Sequence, residues 1–212
     1  MKKTYAVLWM ILLLFGCMPP AGAASDDPCE VASLGCTILC PPDLFSIYGG
    51  MPDSELKSVG ISREKADEIL DAYDLEFVAF NDDDSFEVQI CKYDAAMDLR
   101  LKDKDDSFLN VYLTAFIFSL ETDSGIPVSS SGLFRTEDNV YIRYEWCAGE
   151  GDDLDYVITY YTMMDGLAYE INCYCRETLE DDEARMAEAF INNTVWDFDL
   201  LAAQKAERQN SD

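Results

Sequence analysis

The sequence predicts an α+β fold, in which a largely antiparallel β-sheet carries helices on both faces as an α/β/α sandwich. The centre of the sheet is expected at residues 154–175, where two runs of β-branched and aromatic residues flank Asp165-Gly166. That dipeptide suits a two-residue type I′ turn, because both turn residues must adopt a positive φ. The turn then sets Tyr160 opposite Ile171, which fixes the register of the predicted hairpin.

Both faces of this hairpin carry mainly apolar or aromatic residues. The first face holds Tyr156, Ile158, Tyr160, Tyr169, Ile171, Cys173 and Cys175, and the second holds Val157, Tyr161, Met163, Ala168 and Tyr174. A hairpin that is apolar on both faces is normally the centre of a sheet that is covered on both sides. Its tyrosines and cysteines are therefore expected in the core, since aromatic residues at period two usually pack across strands.

Three segments are predicted to be the covering helices. Residues 62–74 begin at Ser62, whose hydroxyl suits the N-cap position. Residues 105–120 carry apolar side chains at helical spacing along one stripe. Residues 179–193 follow Thr178, which begins a capping-box sequence.

The remaining strands are predicted where short apolar runs alternate in period two or end at proline. Their ranges are 37–40, 44–48, 75–80, 85–91, 139–147 and 195–198. The segment 129–132, Ser-Ser-Ser-Gly, is interpreted as a loop because of its composition.

The chain is expected to contain one folded domain behind an export signal. Lys2 and Lys3 precede an apolar run that is too short to span a bilayer, and small residues at 21–23 complete the layout of a signal peptide over residues 1–24. The other parts are interpreted as an irregular lead-in (25–35), the single α+β domain (36–199) and a polar tail (200–212).

Cys17 offers a second way of processing the same leader. The residues before it resemble the bacterial lipobox, in which a cysteine is lipidated and becomes the new N-terminus. Phe15 departs from the small or β-branched residue of that motif, so simple cleavage is favoured. The first route predicts a secreted, extracellular protein, and the second predicts a protein anchored to the cell surface through Cys17.

The charge and the absence of histidine exclude several classes of function. The net charge of −27 at pH 7 repels nucleic acids and anionic lipid surfaces, so we expect no nucleic-acid partner. The chain has no histidine, which excludes Ser-His-Asp and Cys-His catalysis and histidine-ligated metal sites. It also has no glycine-rich phosphate loop, and no cofactor is predicted.

Seven cysteines lie beyond the leader, and export would permit disulfides between them. They are Cys29, Cys36, Cys40, Cys91, Cys147, Cys173 and Cys175. The first three are interpreted as part of a disulfide framework or, less favourably without histidine, of a metal site. A bond between Cys147 and Cys173 is disfavoured, because the predicted meander places a strand between them. Nearby acids are expected to raise thiol pKa values, which disfavours a catalytic cysteine.

Clusters of acidic residues are consistent with two alternative functions. The clusters lie at 82–84, 103–106, 150–155 and 180–183. They allow a weak association with calcium, although Phe108 and Thr114 replace the glycine and glutamate of an EF-hand loop beginning at Asp103. A carboxylate-dependent hydrolase is the other alternative, but no spacing among the acids selects a catalytic pair.

Several short motifs match a known group of proteins. The motifs are Thr37-Ile38-Leu39, Pro42-Asp43, Tyr160-Tyr161-Thr162, Gly166-x-Ala168-Tyr169-x-Ile171, Phe190-Ile191 and Val195-x-x-Phe198. With the order of elements, they resemble uncharacterised exported or membrane-anchored proteins of Gram-positive bacteria that have a PsbP-like domain, named after an extrinsic subunit of photosystem II. The resemblance covers about residues 36–199. It implies an antiparallel sheet with helices on both faces, and a non-enzymatic, protein-binding or accessory role.

We therefore expect an exported, non-enzymatic module that binds an unknown protein or a component of the cell envelope. An extracellular protein that binds divalent cations is the first alternative, and the hydrolase is the second.

Overall fold

A seven-stranded antiparallel sheet is the centre of the computed structural model, which describes residues 28–41, 44–81, 85–150, 153–176 and 181–210. Within these residues the strands are β1 (Cys29–Val31), β2 (Cys36–Ile38), β3 (Leu44–Tyr48), β4 (Leu75–Asn81), β5 (Phe86–Asp94), β6 (Val128–Arg135), β7 (Val140–Glu150), β8 (Asp153–Met164), β9 (Leu167–Arg176) and β10 (Thr194–Trp196). The large sheet has the order β3-β4-β5-β9-β8-β7-β6, and a small sheet has the order β1-β2-β10. The α+β class predicted from the sequence is confirmed.

The helices connect and cover these strands. In the described part of the chain they are α1 (Asp53–Ser58), α2 (Arg63–Tyr73), α3 (Asp106–Ser119), α4 (Asp181–Asn192) and α5 (Phe198–Gln209). Helices α2, α3 and α4 were predicted, and α1 was not. No described helix is both long and apolar enough to cross a membrane.

The hairpin of β8 and β9 has the register that the sequence predicts. Asp165 and Gly166 adopt φ values of 56° and 80°, as a type I′ turn requires. Tyr160 consequently pairs with Ile171. Because β9 also pairs along its length with β5, the hairpin occupies the middle of the large sheet.

The first face of the large sheet, which carries Tyr160 and Ile171, is covered by the small sheet and α4. The Trp196 indole N–H of β10 donates to the Tyr141 hydroxyl at 2.6 Å. From α4, the ring of Phe190 packs against Phe77 of β4 with centroids 5.7 Å apart. The apolar side chains of this layer are buried together in one core.

The second face is covered by α2 at one side and α3 at the other. Helix α2 packs on β3 and β4, and its Tyr73 lies near Glu87 of β5. Helix α3 presses Phe116 against Tyr144 and Tyr161, with ring centroids 5.9 and 4.4 Å apart. The prediction of helices on both faces is therefore confirmed.

The two helices of the second face begin at the predicted caps. The Ser62 hydroxyl accepts from the Lys65 backbone N–H at 3.2 Å, and the Asp105 carboxylate accepts from the Phe108 backbone N–H at 2.9 Å. Each bond satisfies a backbone donor that has no partner inside its helix.

The segment predicted as a loop at 129–132 is instead part of edge strand β6, so that prediction is wrong. Its serines are exposed, and the strand is held by pairing with β7, for example Ser131 with Tyr144. A short polar run can join a ladder wherever a neighbouring strand supplies hydrogen-bond partners, which composition does not reveal.

The lead-in and the tail are more ordered than their composition indicates. Within the segment predicted as an irregular lead-in, 25–35, the chain forms β1, and Val31 is fully buried opposite Cys36. The predicted polar tail, 200–212, falls largely in α5, which buries Leu201 against Gly35. Val31 and Leu34 in the lead-in, and Leu201 in the tail, are the buried apolar side chains that anchor these polar stretches.

Some sequence predictions concern residues outside the described ranges. They are the signal peptide (1–24), the lipidation site Cys17, the motif Pro42-Asp43, the acids at 82–84, 151–152 and 180, and the capping residue Thr178.

Candidate functional site

A polar row crosses the middle of the second face, between the two covering helices. Gln89, Asn172 and Thr159 face one another directly on β5, β9 and β8. The Thr159 hydroxyl donates to Asn172 Oδ1 at 2.7 Å and accepts from the Trp146 indole N–H at 3.0 Å. The sequence predicts a mainly apolar or aromatic second face, and this prediction is wrong at the centre of the face, which is polar.

Two glutamates flank this polar row. Gln89 Nε2 donates to Glu87 Oε1 at 2.5 Å, and the Tyr93 hydroxyl donates to Glu170 Oε1 at 2.8 Å. Burial raises the pKa of Glu170, and the hydrogen bond from Tyr93 partly offsets that rise.

These glutamates do not form a catalytic pair. Glu87 pairs with Tyr174 and Glu170 pairs with Cys91, four residues farther along β5. At about 3.3 Å per residue the two positions are roughly 13 Å apart along the strand, beyond the carboxyl separations of glycosidases. Each carboxylate also has its own hydrogen-bond partner, so the network serves mainly to satisfy buried polar groups.

The acids at 103–106 have structural roles. Asp105 caps α3, and Asp106 pairs with Arg135 at 2.5 Å. Throughout the described ranges, no group of three or more Cys, Asp or Glu side chains is placed to hold a metal ion. Calcium association therefore stays a prediction.

The seven cysteines beyond the leader are free thiols in this structure and lie in several layers of the fold. Strand β8 separates Cys147 from Cys173, as predicted. Burial raises the pKa of Cys91 and of Cys175 to about 12, with nearby acids adding to the rise. The acids raise the pKa of these two thiols, as predicted, but burial contributes more to the rise than the acids do.

Cys29 differs from that expectation. Hydrogen bonds with the Cys40 thiol and, to a lesser extent, with Ser46 outweigh the opposing effects of burial and of Glu55, and the pKa of Cys29 is lowered to about 7. The Ser46 hydroxyl lies 3.7 Å from Cys29 Sγ. Glu55 does raise the pKa of Cys29, as predicted for acidic neighbours, but the net shift is downward because the hydrogen bonds have the larger effect.

Helix α3 exposes apolar side chains on the side that faces away from the sheet. Phe108, Val111 and Phe118 are 38%, 70% and 66% exposed. With the exposed Ala115 they follow one another at spacings of three and four residues, so they share one helix face. We call these four residues the outer stripe.

Acidic residues lie at both ends of the outer stripe. Asp105 and Asp106 begin the helix, and Glu121 and Asp123 follow its last residues; all four are exposed. Beside the helix runs the edge strand β6, with exposed serines. Arg135 pairs with Asp106 and Lys104 lies 5.6 Å from the centre of the Phe108 ring, so the N-terminal end has mixed charge. The resulting surface has an apolar centre and a polar, charged border, which is how many protein-binding surfaces are arranged.

The sequence contains a signal for this surface that the predictions did not use. Residues 107–120 include no charged side chain, although 27% of the chain is charged. The sequence predicts one apolar stripe on this helix, and except for Phe108, which is 38% exposed, that stripe is the side packed on the sheet. Its residues are Phe108, Leu109, Tyr112, Leu113, Phe116 and Ile117. Val111, Ala115 and Phe118 lie outside it, and an apolar residue on every side of a helix indicates that both sides are covered.

No protein-family model matches the chain, and no curated protein matches it. The solution structure of cyanobacterial PsbP (CyanoP) from Synechocystis sp. PCC 6803 is similar over 84% of this chain and 96% of its own, with 14% identity and a TM-score of 0.49. A crystal structure from Bacteroides thetaiotaomicron VPI-5482 is similar over 84% of this chain and 49% of its own, with 13% identity and a TM-score of 0.44. At these identities neither protein's function is transferred to this chain.

Proposed function

We propose that the chain is an exported, non-enzymatic accessory domain of the PsbP-like kind that binds another protein through the outer stripe of α3. The observation that carries this proposal is the exposure of Val111 and Phe118 on a helix that has no charged outer side. Soluble domains rarely keep contiguous large apolar side chains in water unless a partner covers them.

The charges around the stripe define the kind of partner. Asp105, Asp106, Glu121 and Asp123 lie at its two ends, on a chain with a net charge of −27. Because Asp105 and Asp106 are already engaged, a matching partner has an apolar groove with lysine or arginine side chains at the end that meets Glu121 and Asp123. Such complementarity speeds association and selects the partner, while burial of the aromatic side chain supplies most of the affinity.

The non-enzymatic part of the proposal has two supports. Without histidine, catalysis would have to rely on carboxylates, thiols, hydroxyls or lysine amines. The carboxylates of Glu87 and Glu170 are engaged with their own neighbours and are far apart along the sheet.

Export is supported by the leader at residues 1–24 and by the resemblance to exported proteins of Gram-positive bacteria. An intact-mass measurement on the protein from its producing cells tests it. We expect a shortened chain outside the cytoplasm, or a chain that carries a diacylglycerol on Cys17. A full-length chain retained in the cytoplasm would contradict export.

Photocrosslinking tests the binding surface. A photoreactive amino acid at Phe118 is compared with the same residue at Asp71, an exposed position on α2 that serves as the matched control. On irradiation of the producing cells, we expect a discrete adduct with a second protein from position 118 and none from position 71.

Three other outcomes would reject this surface. Equal adducts from both positions would indicate non-specific contact. An adduct of twice the chain's own mass would indicate self-association. Adducts with lipid alone would indicate a membrane-facing helix.

A further inference from the structure

Cys29 and Cys40 come together at the start of the fold, although eleven positions separate them in the chain. Cys29 pairs with Ile38 at the end of the ladder of β1 and β2, and Cys40 lies two residues farther along the chain. The two thiols are within hydrogen-bonding reach of each other.

The Ser46 side chain contacts both of these thiols. Ser46 of β3, in the large sheet, lies 3.7 Å from Cys29 Sγ and also interacts with the Cys40 thiol. The small sheet and the edge of the large sheet therefore meet at these three side chains. Cys36, the other cysteine of the small sheet, pairs with Val31 and Trp196 and is buried.

We propose that Cys29 and Cys40 are joined by a disulfide bond in the exported protein. The bond ties β1 to the segment that leads from β2 into β3. Cys40 lies beyond the end of β2, so its backbone is not held by that ladder and can make the small movement that a disulfide requires. Export supplies the oxidising compartment in which such a bond persists.

The bond forms by exchange with a disulfide oxidant, R–S–S–R, such as oxidised glutathione or an exported thiol oxidoreductase. The Cys29 thiolate attacks one sulfur of the oxidant, which releases one R–S⁻ and leaves a mixed disulfide. Cys40 then gives up its proton and attacks the Cys29 sulfur, which expels the second R–S⁻. The two cysteines lose two electrons and two protons, and the oxidant is reduced to two thiols.

The electrostatics favour Cys29 as the attacking thiol. Its pKa of about 7 makes a large fraction of the thiolate available at neutral pH, close to the value at which exchange is fastest. The Cys40 thiol has a raised pKa, first because it donates to Cys29 and then because it is buried. Of this pair, Cys29 is also the less buried.

Peptide mapping of the exported protein, after removal of the leader that contains Cys17, tests the pairing without any substitution. The protein is equilibrated at pH 7.5 with oxidised glutathione, unfolded with iodoacetamide present, and cut without reduction by a glutamate-specific protease. Cleavage after Glu30 separates Cys29 from Cys36 and Cys40, which share the next peptide. We expect the two peptides to be joined, with the alkyl group on Cys36. Alkylated Cys29, or Cys29 joined to any other cysteine, would overturn the proposal.

Thermal melting gives a second and independent test. The bond closes a short loop, so its reduction with dithiothreitol is expected to lower the Tm of the wild-type chain by roughly 5–10 °C. The matched control Cys36→Ser should show the same shift, and Cys40→Ser should show none. An unchanged Tm of the wild-type chain on reduction would refute a stabilising bond, and a shift that survives in Cys40→Ser would assign it to other cysteines. If Cys40→Ser does not fold, the peptide map decides alone.

Discussion

Helices α2 and α3 cover the same face of the large sheet, but they present opposite surfaces to solvent. The exposed side of α2 is acidic, with Glu64, Asp67, Glu68 and Asp71. The exposed side of α3 is apolar along the outer stripe, with Val111 and Phe118 the most exposed. Each helix has a cap of the same kind and buries apolar residues against the sheet.

This difference separates the needs of the fold from those of function. An amphipathic helix such as α2 is sufficient to close a sheet face, since its charged side is well solvated. The apolar outer side of α3 adds nothing to the burial of the sheet and exposes the chain to aggregation. Its presence is explained if a partner covers α3 and does not cover α2.

The largest expected change in stability is between a substitution on the inner side of α3 and one on its outer side. Leu109 is fully buried, so Leu109→Ala should lower the free energy of unfolding by about 2–5 kcal/mol through lost burial and an unfilled cavity. Val111→Ala, on the outer stripe, should change it by less than about 0.5 kcal/mol. Urea unfolding of both variants makes the measurement. Equal losses would show that Val111 is packed in the free protein, and would remove the basis of the comparison.

Removal of the N-cap side chain should destabilise α2 and α3 by about the same amount. Ser62→Ala in α2 and Asp105→Ala in α3 each remove one side-chain acceptor from a backbone N–H, at an expected cost of about 1 kcal/mol. Urea unfolding is again suitable, with Asp71→Ala as an exposed control in the helix interior. A cost at Asp105 several times that at Ser62 would mean that the carboxylate also holds other parts of the structure.

The smallest expected effect concerns Glu170, in the polar region between the two helices. Its pKa is raised by burial, so the folded state disfavours the charged carboxylate, and stability falls as the pH rises from the unfolded pKa to the folded one. Glu170→Gln keeps an acceptor for Tyr93 and removes that charge. The variant should therefore be more stable than the wild type at pH 7.5, and this gain should disappear at pH 3.

Chemical unfolding at both pH values measures the gain, and the exposed Glu188→Gln on α4 is the control. A variant that is less stable than the wild type at pH 7.5 would show that the charged carboxylate is needed by the fold.

Local signals in the sequence were sufficient for much of the fold. The type I′ turn at Asp165-Gly166 sets the central register by itself, and the caps at Ser62 and Asp105 mark two helix starts. Strand β6 escaped prediction because Ser129–Ser131 carry no apolar alternation and depend on β7 for their hydrogen bonds. The composition of a segment does not reveal long-range strand pairing of this kind.

The candidate surface was only partly predictable. The charge-free run 107–120 is visible in the sequence, but the outer stripe becomes evident only when the inner side is seen to be packed on the sheet. The polar row of Thr159 and Asn172 is likewise hidden among aromatic neighbours until the strands are paired. The approach of Cys29 to Cys40 needs the ladder of β1 and β2, in a segment whose composition indicates an irregular chain.

The most direct test of the central claim is the affinity for the protein that crosslinks at position 118. Titration calorimetry compares the wild-type chain with Phe118→Gln, on the outer stripe, and with Asp71→Asn, on the acidic side of α2. We expect Phe118→Gln to raise the Kd at least tenfold, as the loss of a buried aromatic anchor does, and Asp71→Asn to leave it within about twofold. Equal Kd values for the wild type and Phe118→Gln would contradict the account, because the outer stripe would then have no part in binding.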